Sequence, residues 1–432
     1  MGWDFETEPD FQRKLDWVDD FVRREVEPLD LVLGDPYDKD EPRARALLRP
    51  LQEQVRAAAL WACHLEPALG GQGYGQVKLA LLNEILGRSR WAPSVFGCQA
   101  PDSGNAEILA RYGTEGQKRV YLQPLLDGEI SSCYSMTEPQ AGSDPSLFTT
   151  RAVRDGHEWV ITGEKWFASN ARYSTFFLVM AVTRPEVPTR ERMSMFIVPA
   201  GTPGLTILRN TGVGGEGAHG STHGYLRYDG VRVPADHLLG GEGQGFSIAQ
   251  ARLGGGRIHH AMRTIARVRQ AFDLMLERAN SRQVSRGTLG SQQLTREKIA
   301  DSWIQMEQFR LLVLRTAWLI DKHQDYELVR KDIAAVKAAM PQVLSDVVRR
   351  SMHLHGSLGV SNEMPFAALL MSAEVMALVD GPTEVHQMTL AKELLAKAPR
   401  VEGLWPSAHL PTLRAAAEEH VARRLDLAAA AL

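Results

Sequence analysis

One carboxylate stands where the chain changes direction. In "ALVDGPTEV", Ala377–Val385, Asp380 precedes Gly381 and Pro382 and interrupts an apolar, helical stretch. A lone acid at such a break can act as a general base when a substrate carbon lies beside it. It can equally cap a helix that starts with Pro382 in the first helical position, and spacing alone leaves Asp380 a cap. A second candidate is "CYSMTEPQAGSD", Cys133–Asp144, a strand running into a turn built from Pro139, Gly142 and Ser143. Small residues there let backbone N–H groups and hydroxyls approach a flat polar ligand or a phosphate. A strand followed by an ordinary loop is the plainer reading. A third, "GEKWFASNA", Gly163–Ala171, sets a Trp-Phe pair before a hydroxyl residue, which suits one wall of an aromatic ligand site or simple core packing. "GGEGQGFSIAQARLGGGRIHH" reads as two glycine clusters flanking a short helix, and it matches no nucleotide fingerprint because it does not follow a strand in a βαβ unit. His259 and His260 point to different helix faces, which argues against a shared metal. His353 and His355, just before Gly356, read as a helix C-terminal cap.

The elements that must position these residues follow from periodicity. "DFQRKLDWVDDFVRREVEPLD" places Phe11, Leu15, Val18, Phe21, Val22 and Val26 at helical spacing until Pro28 ends the run. After about Ile130 the runs become short and rich in β-branched and aromatic residues, as in "HEWVITGEKWFAS" and "TFFLVMAVT". Asp155-Gly156 and Asp229-Gly230 fall between such runs and predict hairpins in an antiparallel β module. From about Phe246 long helices return. Pro341 falls inside one of them and predicts a kink, and "LPTLRAAAEEHVARRLDLAAAAL" predicts a peripheral terminal helix. The expected domains are 1–132, helical; 133–245, β; 246–400, a helical bundle; and 401–432, the peripheral helix.

Bulk properties narrow the partners. The 432 residues carry a formal net charge of −3, which gives no electrostatic reason to expect nucleic acid or an anionic membrane. Three scattered cysteines, Cys63, Cys98 and Cys133, argue against a disulfide framework and for a reducing compartment. Neither a signal peptide nor an apolar run of membrane-spanning length is visible, so a cytoplasmic location is expected.

Taken together, five stretches in order resemble the acyl-CoA dehydrogenase family over most of residues 5–400: "MTEPQAGSD", "GEKWFASNA", "GFSIAQARLGGGRIHH", "MHLHGSLGV" and "VDGPTEVHQ". "PDSGNAEILARYGTEGQKRVYLQPLL" is similar to the branch supplying the dehydrogenase domain of the large eukaryotic members and their bacterial relatives. The resemblance implies a mostly α fold with a central antiparallel β domain between an N-terminal helical domain and a C-terminal helical bundle. It implies FAD as cofactor and α,β-dehydrogenation of an acyl-CoA thioester to the 2-enoyl-CoA, with Asp380 as the α-proton base and hydride passing to flavin N5. Such chemistry needs the base and the flavin on opposite faces of the acyl chain, and hydrogen bonds to the thioester oxygen. Most relatives carry glutamate at the Asp380 position. A few place the base on the helix bearing "GGGR", where Gly254, Gly255 and Gly256 here offer nothing ionisable.

By the same resemblance, Tyr134, Met136, Thr137, Gly142 and Ser143 match residues lining the flavin, and Ser143 also lies near the CoA. Phe167 takes a stacking position often held by tryptophan, and Ser169 stands where a threonine hydroxyl commonly meets flavin N5. Arg257 matches an arginine near the CoA, and Gly381 flanks the base on the substrate side. Arg282 and Gln293 match residues reaching the FAD of a neighbouring subunit, which implies a homodimer or homotetramer. "HLHGS" departs from the usual Gln-then-Gly-Gly pattern and puts His353, Gly356 and Ser357 at the FAD. Thr383 and Glu384 match a segment near the flavin's phosphate end. No metal is implied, and an electron-transfer flavoprotein is the implied electron acceptor. Two other readings stand beside this one: a flavin oxidase of the same fold, similar to nitroalkane oxidases with their aspartate base, and a non-catalytic acyl-CoA- or flavin-binding subunit.

Overall fold

The computed structural model describes residues 6–38, 41–214 and 222–430, and it runs from helices through a sheet to helices again. The N-terminal helices include α1 (Pro9–Phe21), α2 (Pro42–Ala57), α3 (Gly75–Leu86) and α4 (Asp102–Tyr112). α1 buries Phe11, Leu15, Val18 and Phe21, the stripe its sequence spacing predicts. The C-terminal helices are α5 (Gly245–Ser281), α6 (Gln293–His323), α7 (Arg330–His355), α8 (Phe366–Leu378), α9 (Thr383–Lys397) and α10 (Leu410–Ala430). Pro341 lies inside α7, which continues through it without a break. α10 is exposed along its whole length. Among the described residues no single helix is long and apolar enough to cross a membrane. The bent pair α8 and α9 would pass only if taken together, and they turn by 49° at their junction.

Between the helical layers lie strands β1 (Ser132–Ser135), β2 (Arg151–Asp155), β3 (Glu158–Ala168), β4 (Phe176–Val182), β5 (Met193–Pro199), β6 (Leu205–Thr211), β7 (His223–Pro234) and β8 (Leu238–Leu239). Their order is β6-β7-β3-β2-β4-β5-β8, with β1 also on β4. Most neighbours are antiparallel, but β1 and β2 both run parallel to β4, so the sheet is mixed rather than purely antiparallel. Asp155-Gly156 does form a hairpin tip, with Asp155 opposite Glu158. Asp229-Gly230 does not. It lies within β7, where Val231 faces Ile161 and Tyr228 faces Gly163, so β7 spends one residue more than β3 over that span. Gly230, at φ +60°, absorbs the surplus as a bulge instead of reversing the strand.

β4 explains why "FFLVMAV" shows no polar alternation. Phe176, Leu178 and Met180 join the large core shared with the helices, whereas Phe177, Val179 and Ala181 join a second core with Trp159, Phe196 and Val233. Both faces of the strand are covered, so every position is apolar.

Candidate active site

Strands β1 and β3 and helix α8 bring their ends, and helix α5 one face, to a cavity of about 1760 Å³. On the sheet side, β1 delivers Tyr134 and runs into the loop that begins at Met136. Glu138 turns inward from that loop and is fully buried with Lys165 of β3, their charged groups 2.8 Å apart. The carboxylate also accepts from the backbone N–H of Thr149 (2.7 Å) and Thr150 (3.0 Å). Lys165 Nζ donates to the Met136 carbonyl (2.7 Å), and the Trp166 N–H donates to that of Thr137 (3.0 Å). Burial alone would push the Glu138 carboxyl up, but Lys165 and the surrounding donors outweigh it and hold the group at about 2. The loop is therefore pinned to β3 from inside, and Met136, Thr137, Gly142 and Ser143 form its cavity side.

β3 then presents Phe167, an aromatic ring 43% exposed on a backbone at φ +47°. A non-glycine residue in that region is strained, and such strain concentrates at binding sites. The Trp166 ring stands perpendicular to it at 4.9 Å between centroids. Ser169 Oγ lies 3.0 Å from His223 Nδ1.

On the helix side, the chain leaves α8 at Leu378 and enters α9 at Thr383. Lys337 of α7, fully buried, donates from Nζ to the carbonyls of Met376 (2.5 Å) and Gly381 (3.4 Å). It thereby serves carbonyls that the helix break leaves without partners. Burial draws its ammonium down to about 8, with Asp380 opposing the shift. Asp380 itself sits at φ +57°. Its carbonyl accepts from Arg257 Nε (3.0 Å) and His386 Nε2 (3.3 Å). With the backbone held from two sides, the carboxylate turns toward α5. Oδ2 lies 3.5 Å from His260 Nε2, and a Cβ added to Gly256 would come within 2.9 Å of the same oxygen. Asp380 is thus no helix cap; Pro382, expected inside α9, occupies the N-cap position, and no side chain caps that end. Burial lowers the His260 ring to about 4 despite the pull of Asp380, so near neutrality it is uncharged. Glu107 of α4, a buried acid that lines the same cavity, is raised to about 7 by burial and is paired with Arg111 at 3.0 Å.

The expected short helix between glycine clusters is instead one 37-residue helix, α5, that runs through Gly254, Gly255 and Gly256. Close approach explains the glycines: added Cβ atoms there would meet Tyr326 at 3.0 Å, Glu107 at 3.0 Å and Asp380 at 2.9 Å. His259 and His260 point to different partners, Gln76 and Asp380, and no metal-holding cluster occurs among the described residues. At the end of α7, Gly356 at φ +65° terminates the helix, and His355 Nδ1 lies 2.8 Å from the Ser351 carbonyl.

Of the sequence-derived positions, Tyr134, Met136, Thr137, Gly142, Ser143, Phe167, Ser169, Arg257, Asp380 and Gly381 line this one cavity. Arg282, Gln293, His353, Gly356, Ser357, Thr383 and Glu384 do not. All of these but Thr383 are exposed, and Thr383 Oγ1 donates to the Ala377 carbonyl (3.3 Å). Sequence reasoning missed Glu138, Lys337 and His386, and weighed His260 only as a metal ligand. His260 left a usable signal: it lies four residues after Gly256, on the same helix face. Lys337 left none, because it is a lysine inside an ordinary apolar helical pattern.

A chain with this helix–sheet–helix order, and a carboxylate lining a cavity that the loops after β1 and β3 also wall, has the build of an acyl-CoA dehydrogenase. Family models for the N-terminal, middle and C-terminal domains of acyl-CoA dehydrogenase match residues 9–129, 133–231 and 243–395, and the chain belongs to that family. Its members are FAD-dependent oxidoreductases acting on acyl-CoA. The probable acyl-CoA dehydrogenase FadE2 of Mycobacterium tuberculosis is 40% identical over 399 residues, covering 91% of this chain and 93% of that one. Human acyl-CoA dehydrogenase family member 11 is 37% identical over 402 residues, covering 90% of this chain, which spans only 51% of that longer protein. Among solved structures, butyryl-CoA dehydrogenase from Megasphaera elsdenii superposes with a TM-score of 0.77 at 26% identity, covering 91% of this chain and 100% of that one.

Proposed function

We propose that this chain carries out FAD-dependent α,β-dehydrogenation of an acyl-CoA thioester to the 2-enoyl-CoA, with Asp380 taking the α-proton. The observation that supports it is the aim of Asp380. Its carbonyl is fixed by Arg257 and His386, and its carboxylate faces the bare backbone of Gly256 inside the cavity that Phe167 and Ser169 also line.

The sheet-side wall suits a flavin. A partly exposed aromatic ring on strained backbone, a hydroxyl two residues on, and a loop of small residues offering backbone donors match a flat, polar, phosphorylated ligand. Tyr134, Met136, Thr137, Gly142, Ser143, Phe167 and Ser169 would hold FAD there. When bound, the flavin supplies the acceptor for the β-hydride. Ser143, Arg257 and Gly381 would position the CoA thioester so that its α-carbon lies beside the Asp380 carboxylate, on the side that faces the flavin. A substrate that covers Asp380 strips water from the carboxylate and makes it a stronger base. His260, kept neutral by burial, adds no opposing positive charge. Arg282 and Gln293, exposed and outside this cavity, are assigned to the FAD of a neighbouring copy, so the working unit is a homodimer or homotetramer. His353, Gly356, Ser357, Thr383 and Glu384 are proposed contacts for the phosphate and adenosine end of the cofactor. An electron-transfer flavoprotein is the proposed acceptor of the electrons.

The test is anaerobic bleaching of the flavin by a panel of acyl-CoAs. Asp380→Asn is expected to keep FAD and bind thioester while losing about 10²–10⁴-fold in the rate of flavin reduction. Reduction at the parental rate would remove Asp380 from the chemistry.

A further inference from the structure

Helix α5 turns one face into the cavity. Gly256, His260, Arg263 and Arg267 line the cavity and follow one another at spacings of four, three and four residues, so they form a single stripe. The first two flank the Asp380 carboxylate, which fixes where the reacting carbons lie. Arg263 and Arg267 come about 4.5 Å and about 10.5 Å farther along the helix axis from His260, at 1.5 Å per residue. A chain extending from the thioester past Asp380 along α5 therefore meets two guanidinium groups instead of leucines or phenylalanines.

Neither arginine has a carboxylate to itself, although the Cys98 thiol, drawn down to about 7 by its bond to Cys63 and by Arg263, lies beside Arg263. Arg263 Nε donates to Asn83 Oδ1 (2.8 Å) and its Nη2 to the Cys98 carbonyl (2.5 Å), while Arg267 Nη1 donates to Ser372 Oγ. All three acceptors are neutral, and among the described residues no carboxylate comes within ion-pair distance of either side chain. Asp30 attracts Arg267 only from farther away, because it accepts from the Arg90 backbone N–H instead (3.1 Å). Burial, and then repulsion from Arg263, lowers the Arg267 guanidinium below its usual range. Burial, and then the charge of Arg263, lowers the His64 ring to about 4, so that neighbour is uncharged. Desolvated guanidinium groups gain most from an oxyanion they can grip through two N–H bonds.

We infer that the preferred acyl group ends in a carboxylate held by Arg263 and Arg267, rather than in a methyl group. The direction of the chain rests on the dehydrogenation proposed at Asp380.

The experiment measures binding before turnover. CoA thioesters of roughly four to eight carbons, a span set by the helix rise, are made in pairs of equal length, one ending in a carboxylate and one in a methyl group. Each is titrated calorimetrically into FAD-loaded Asp380→Asn enzyme, and then offered anaerobically to the unsubstituted enzyme. At the best length the acid-ended member is expected to bind, and to bleach the flavin, about 10-fold or more better, the worth of a charge-assisted hydrogen bond. Arg263→Gln or Arg267→Gln is expected to bring that ratio to one or below, and either variant suffices if the other does not fold. Equal or weaker binding of the acid-ended member at every length overturns the inference, as does a ratio that neither substitution moves. Acid-ended thioesters that bind preferentially while no thioester bleaches the flavin would sustain the acid preference and sink the Asp380 chemistry.

Discussion

At the scale of the residue, the position of Asp380 sets two requirements at once. The helix break places it at φ +57°, a region that aspartate tolerates better than most side chains because its short polar arm bonds locally. The same residue must leave its carboxylate facing α5. Gly256 makes room for that oxygen, since an added methyl would approach it at 2.9 Å. Gly256→Ala should therefore turn the carboxylate aside without disturbing the fold. Alanine suits a helix interior better than glycine, so unfolding free energy is expected to stay within about 1 kcal/mol of the parent or to rise. The rate of flavin reduction should fall about 10-fold or more, because small displacements of a reacting group are costly. Thermal melts beside single-turnover bleaching check this, and a variant that keeps its full rate would show that Gly256 does not set the aim of Asp380.

At the scale of the element, the loop after β1 keeps its shape through the buried Glu138–Lys165 pair rather than through the residues it shows to the cavity. Glu138→Gln strands Lys165 in the core, and breaking such a pair costs about 3–5 kcal/mol. A lower melting temperature with loss of bound flavin is expected, and unchanged flavin content would contradict the anchoring role. The pair also sets an acid limit. Glu138 is held at about 2 in the folded chain against an ordinary 4.5, so the unfolded chain binds the proton more readily. Its stabilisation is full above about pH 4.5 and fades as pH falls toward 2. Urea unfolding across that window should show the loss in the parent and a shallower slope in Glu138→Gln. The sheet side of the site was readable because it is written in two contiguous stretches, "MTEPQAGSD" and "GEKWFASNA". On the helix side spacing alone made Asp380 a cap, and only the resemblance of "VDGPTEVHQ" and "GFSIAQARLGGGRIHH" marked Asp380 and Arg257 for the site. Lys337 and His386, which hold the same break from two further helices, carry no local pattern. The same limit hid the course of α5: three glycines in a row read as a helix break until Tyr326, Glu107 and Asp380 are seen packed against them.

At the scale of the whole molecule, the C-terminal helices leave much apolar surface uncovered. Met388 and Leu395 on α9 are each 74% exposed, and α10 adds Leu410, Leu425 and Leu427. Exposed apolar side chains in such number suit association, which the proposed role of Arg282 and Gln293 at a neighbour's FAD requires. Sedimentation of the FAD-loaded protein is expected to give at least twice the monomer mass, and Met388→Lys with Leu395→Glu should lower it. A parent protein that sediments as one chain would leave Arg282 and Gln293 without a role. The organisation of β4 reaches further still. One strand closes the helical core with one face and the sheet's own core with the other. No engineered split between the helical and sheet portions would leave either piece with a sealed interior, so the sheet side of the cavity and the Asp380 carboxylate survive together or are lost together.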